Sequence, residues 1–154
     1  MDISLQVAII GLAGAVVGAL ISTVIPAIWR DRRAAKEKRS NEKRAARLVE
    51  DELNTAHALI KLSYDTGLWY SDPDLCNTVT WQKYRSTLAE ALPHAQLRSV
   101  CDGILALGII RNARSHHFEQ AATFSLTQQE RELIEVLGPK VNLALNVITS
   151  YTED

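Results

Sequence analysis

Strand signals are missing from this chain. No stretch alternates apolar with polar residues, and no Asn-Gly or Asp-Gly turn is flanked by such runs, which argues against hairpin-built sheets. Proline and glycine are absent from Asp31 to Asp65, so nothing there interrupts a helix. Only two cysteines occur, Cys76 and Cys101, which is too few for a disulfide framework. Both read as ordinary thiols, with Cys101 at the spacing of a core position. Glycine-rich phosphate loops, a Walker loop, a nucleophile elbow and a His-Glu-x-x-His pair are all absent. Charge is absent too between Asp2 and Arg30, and that gap organises the rest.

From Ile3 to Ile28 the chain is apolar or small, with only uncharged polar side chains such as Ser4, Gln6, Ser22 and Thr23. About 20 helical residues cross a ~30 Å hydrocarbon core, so this run predicts one transmembrane helix. A cleaved signal peptide is the competing expectation. It needs a cationic start, a short apolar core and a small-x-small cleavage site. Here the start is acidic, the run is too long, and it closes on Ile25-Pro26-Ala27-Ile28-Trp29. An uncleaved anchor is expected over residues 1–29, with Pro26 kinking or ending it. Gly11, Gly14, Gly18 and Ser22 recur at three- and four-residue spacing and share one face. Small residues so placed let two backbones approach, which predicts self-association through the span.

Nine basic side chains against three acidic ones fill Arg30 to Arg47, a net of +6. Trp29 with Arg30, Arg32, Arg33, Lys36, Lys38 and Arg39 is the pattern of an interfacial aromatic followed by a headgroup-binding neck, residues 30–47. The positive-inside rule turns this side to the cytoplasm, leaving the N-terminus outside the plasma membrane. Beyond Arg47 the balance reverses to −6. Nucleic acid is therefore not an expected partner, whereas the anionic inner leaflet is.

Residues 48–154 suffice for one small domain. Val49, Leu53, Ala56 and Ile60, widened by Leu48, Leu59 and Leu62, continue the neck as an amphipathic helix that Gly67 closes. A loop is expected next, and its Leu68, Trp69 and Tyr70 form either a lid on the core or a surface for a cytoplasmic protein partner. Thr80 is the expected cap of a short helix carrying Trp81, Tyr84, Leu88 and Leu92. Pro93 suits the first turn of the next, with Leu97, Val100, Cys101, Ile104, Leu107 and Ile110 facing inward. The apolar string Ile104 to Ile110 is too short to span a bilayer and is expected in the core. Thr127 and Glu130 spell a capping box. Behind it Leu133, Val136, Leu137, Val141, Leu145 and Ile148 predict a last helix, with a kink or break at Gly138-Pro139. The fold expected is all-α: one transmembrane helix, a long basic neck helix, and a small cytoplasmic bundle.

No metal, cofactor or catalytic residue is assigned. His116, His117 and Glu119 are the one local cluster of ligand type, but adjacent helical histidines diverge by about 100° and miss the i, i+4 spacing. Glu90, Asp102 and Glu135 lie near apolar stripes and are expected at their edges.

The string Ala45-Ala46-Arg47-Leu48-Val49-x-x-Glu52-Leu53, then Leu68-Trp69, Trp81-x-x-Tyr84-Arg85-x-x-Leu88-Ala89 and Leu92-Pro93 resembles a loose group of uncharacterised small bitopic membrane proteins from high-GC, actinobacterial-type bacteria and their phages. The resemblance spans roughly residues 5 to 110. It implies the same topology and carries no activity with it. A membrane-tethered, homo-oligomeric adaptor is the leading expectation. A holin-like, phage-exclusion or toxin-type effector and an enzyme are the alternatives.

Overall fold

A computed structural model describes Gly18, Ser22 and residues 25–70, 78–115 and 123–153. Within these residues the order is α1 (Ile25–Thr66), β1 (Leu68–Tyr70), α2 (Val79–Ala91), α3 (His94–Ser115), β2 (Thr123–Ser125) and α4 (Gln128–Glu153). The described chain is helical apart from one two-stranded ribbon and short connections. It divides into two compact units, Met1–Asn41 and Glu42–Asp154. Among the described residues no helix is long and apolar enough to cross a membrane. Most of the expected span, including Gly11 and Gly14, lies outside the described residues.

In the second unit α1 buries Ala45, Ala46, Val49, Leu53, Ala56, Ile60 and Ser63. Steps of three and four put these on one face, as the heptad-like spacing predicts. The stripe starts at Ala45, earlier than expected: a methyl side chain fits a tight contact even where the flanking positions are charged. Leu48 and Leu62, expected to widen it, are exposed. Gly67 ends α1 at φ +69°, the left-handed geometry that glycine adopts without a Cβ clash.

Beyond Gly67 the chain forms a strand and not the expected loop. Leu68, Trp69 and Tyr70 pair antiparallel with Ser125, Phe124 and Thr123, and the N–H of Leu126 donates to the Gly67 carbonyl at 2.8 Å. Three residues are too few to display alternation, so this non-local pairing leaves no mark in the local sequence.

One further expectation is corrected and another is narrowed. Thr80 does not cap α2, which already begins at Val79. Of the kink or break expected at Gly138-Pro139, the break is absent, since α4 continues from Gln128 to Glu153. Proline removes one N–H and leaves the Glu135 carbonyl without its usual helical donor, and both residues are exposed, where water can take that donor's place. The inner face of α4 is also turned from the expected one. Ile134, Leu137, Val141, Ala144 and Ile148 are buried, whereas Val136 is 65% exposed and Leu133 and Leu145 are only partly covered.

The core of α3 is Val100, Ile104, Ala106, Leu107 and Ile110, and Leu105 of the same apolar string is 64% exposed. Gly103 marks where α3 and α4 press together. A Cβ there would fall 2.4 Å from the Ala144 Cβ and 2.9 Å from the Lys140 carbonyl oxygen. At the start of α4 the expected capping box forms, with the Thr127 N–H donating to Glu130 Oε2 at 2.7 Å and the Glu130 N–H to Thr127 Oγ1 at 3.3 Å.

Candidate functional site

Three groups of residues bear on function. The first lies in the Met1–Asn41 unit. Trp29 is 60% exposed, and Arg30, Arg32, Arg33, Lys36, Lys38 and Arg39 are all exposed around it. Ile25, Pro26, Trp29, Arg30 and Arg33 surround one shallow hollow, so apolar and cationic groups meet on the same side of the helix. The Arg30 Nε donates to the Pro26 carbonyl at 3.3 Å, tying its guanidinium back along the helix. Gly18 and Ser22 are exposed, and a Cβ on Gly18 would meet nothing within 4 Å.

The second group is Leu68, Trp69 and Tyr70, expected either as a lid on the core or as a partner surface, and Trp69 takes the first of these places. Trp69 is the largest fully buried side chain among the described residues, and Leu68 is half-buried. Strand pairing turns the indole inward, where its area stabilises the bundle. The Tyr70 side chain lies outside the described residues.

The third group was not singled out from sequence. α1 and α4 run antiparallel: the Thr149 and Thr152 hydroxyls donate to the Glu50 carboxylate at 2.7 and 3.0 Å, and further along the Tyr64 hydroxyl donates to Glu135 Oε1. Between these ties lies a groove of about 270 Å³. One side is His57, Ile60, Lys61 and Tyr64, a single face of α1; the other is Ile134, Glu135, Gly138 and Pro139. The missing side chain at Gly138 helps to make the hollow, since a Cβ there would touch nothing within 4 Å. The Nδ1 of His57 is shielded from water and has no hydrogen-bond partner among the described residues. Donation to Glu135, above all, holds the Tyr64 phenol above its ordinary pKa.

Glu52 belongs to none of the three, yet folding changes its titration. Its carboxylate accepts the N–H of Thr80 at 3.4 Å and of Trp81 at 3.1 Å, standing in for Thr78, whose side chain makes no capping hydrogen bond. Burial raises its pKa, and the two backbone N–H groups only partly offset that. The expected edge acids Glu90, Asp102 and Glu135 are all exposed.

His116, His117 and Glu119 lie outside the described residues, and among the described residues no three His, Cys, Asp or Glu converge as metal ligands. Cys101 is half-buried and free of any disulfide. Comparison with known protein families, curated proteins and solved structures finds no match.

Proposed function

We propose that this chain is a single-pass membrane-anchored adaptor whose helical head, 48–154, serves a cytoplasmic protein. The observation that carries it is the exposed Trp29 beside the exposed Arg30, Arg32, Arg33, Lys36, Lys38 and Arg39, directly after an uncharged apolar stretch. An indole at the headgroup level with cations just beyond it suits the anionic inner leaflet, each cation contributing about 1 kcal/mol near the surface. Self-association through Gly11, Gly14, Gly18 and Ser22 is part of the proposal. Its support is the three- and four-residue spacing of these small residues in the sequence. The sequence of the head carries no nucleophile motif, and binding is preferred over catalysis as its work.

Cell fractionation of the full chain, with protease added from outside, tests the anchor. The intact chain is expected in the membrane fraction with its head protected. Release into the aqueous phase, or external digestion of the head, overturns the proposal. Replacing Gly14 and Gly18 with Leu is expected to reduce cross-linked oligomer. Unchanged cross-linking removes the self-association part alone.

A further inference from the structure

The hollow in the Met1–Asn41 unit is lined by groups of one charge only. Ile25, Pro26, Trp29, Arg30 and Arg33 follow one another at steps of one, three, one and three residues, which makes a single strip of α1. Apolar groups hold its N-terminal end, the indole its middle, and two guanidinium groups the other end. No carboxylate lines it. Asp31 stands about 160° round the helix from Trp29. Glu37 follows Arg33 by about 6 Å along the axis, and the exposed Lys36 beside it balances its charge. The hollow is therefore cationic.

Helical side chains lean toward the N-terminus, so Arg30 and Arg33 reach back along α1 toward the indole. The bond from Arg30 Nε to the Pro26 carbonyl, at 3.3 Å, follows that direction and restrains the guanidinium. It uses only the Nε–H, so both terminal nitrogens of Arg30 remain for a ligand, along with the fork of Arg33. Two such forks within one turn match an oxyanion of more than one charge and several acceptor oxygens. A phosphate monoester has these properties, with a charge of about −1.5 to −2 at neutral pH and three terminal oxygens. A diester has a single charge and fewer free oxygens, and it leaves donors over.

We infer that the hollow holds the headgroup of a phosphomonoester lipid, its phosphate between Arg30 and Arg33 and its glycerol end against Ile25, Pro26 and Trp29. This rests on the membrane anchor proposed above and names the lipid which that anchor selects. At about 390 Å³ the hollow lies at the small end of ligand sites, so it takes the headgroup while the acyl chains stay in the bilayer.

The test reconstitutes the full chain into phosphatidylcholine vesicles containing brominated phosphatidate or brominated phosphatidylglycerol, at mole fractions adjusted to equal zeta potential. Bromine quenches a neighbouring indole. Trp69 and Trp81 are buried, and Trp29→Phe supplies their background for subtraction. Quenching of Trp29 is expected to give phosphatidate a relative binding constant at least about fivefold above phosphatidylglycerol, the effect of one further charge contact near the surface. Arg30→Gln and Arg33→Gln should each remove most of that preference. Arg33→Lys, which keeps the charge and loses the fork, should lose part of it. Arg32→Gln, an equal loss of charge outside the hollow, should leave the preference unchanged. All three arginines are exposed, so these variants should fold. Equal quenching by the two lipids overturns the inference. So does an effect of Arg32→Gln as large as those of Arg30→Gln and Arg33→Gln, because diffuse charge would then account for the binding. A chain that floats with neither vesicle overturns the anchor and this site together, whereas an anchored chain without preference overturns the site alone.

Discussion

The carboxylate of Glu52, near the middle of α1, accepts the backbone N–H of Trp81, the third residue of α2, at 3.1 Å. One helix therefore caps another. The first N–H groups of a helix have no partner within it, and α2 finds one across the bundle.

Glu52→Ala should lower stability by about 1 kcal/mol, the typical effect of losing a cap, while Glu52→Gln keeps one acceptor and should lose less. The pH dependence carries a definite sign. Because burial raises the folded pKa of Glu52, the native state holds this proton more tightly than the unfolded chain. Its contribution to stability is therefore greatest in acid. It declines as pH rises from the ordinary carboxylate range through the raised folded value, and is constant above that. Denaturation of wild type and Glu52→Gln across this window should show the difference narrowing in the direction that disfavours wild type. A parallel pair of curves would show that Glu52 is not desolvated.

Tyr64 offers a second titration. Its phenol donates to Glu135 and is held above the ordinary tyrosine range. In a ring-carbon NMR titration Tyr64 should ionise above that range, and Glu135→Gln should bring it back down. The native preference for the neutral phenol means that this contribution is lost as pH rises through the raised value.

Gly103 faces Ala144 at a distance no Cβ tolerates. Gly103→Ala should destabilise by about 1–3 kcal/mol, the usual effect of overpacking. Ala144→Gly in the same chain should recover part of that, leaving the contact with the Lys140 carbonyl oxygen. Thermal melts of the two single variants and the double variant measure this coupling.

Gly67→Ala should cost about 1 kcal/mol or more, because φ +69° disfavours any L side chain. The Arg131 guanidinium, 2.4 Å from the site of the new Cβ, must also shift. Trp69→Ala should cost about 3–5 kcal/mol as a buried aromatic truncation. Trp69→Phe should cost clearly less, because the indole N–H has no partner among the described residues. An exposed docking residue would instead leave the melting temperature unchanged in both variants.

Local sequence was enough for everything that depends on neighbours along the chain. Helical class, the Val49–Leu53–Ala56–Ile60 stripe, the glycine stop at Gly67 and the Thr127–Glu130 cap all arise from spacing over a turn or two. Only the tertiary structure decided the rest, since each remaining feature joins residues far apart in sequence. The pairing of Leu68 with Ser125, the inward turn of Trp69 and the cap that Glu52 lends to α2 need partners whose positions no local pattern encodes. The facing of α4 is another such case. A broad stripe of large side chains admits two neighbouring rotations, and Gly103 against Ala144 selects the one that buries Ile134 and leaves Val136 in water. The groove beside His57 arises in the same way, where a helix carrying Gly138-Pro139 is laid against one that presents Lys61 and Tyr64.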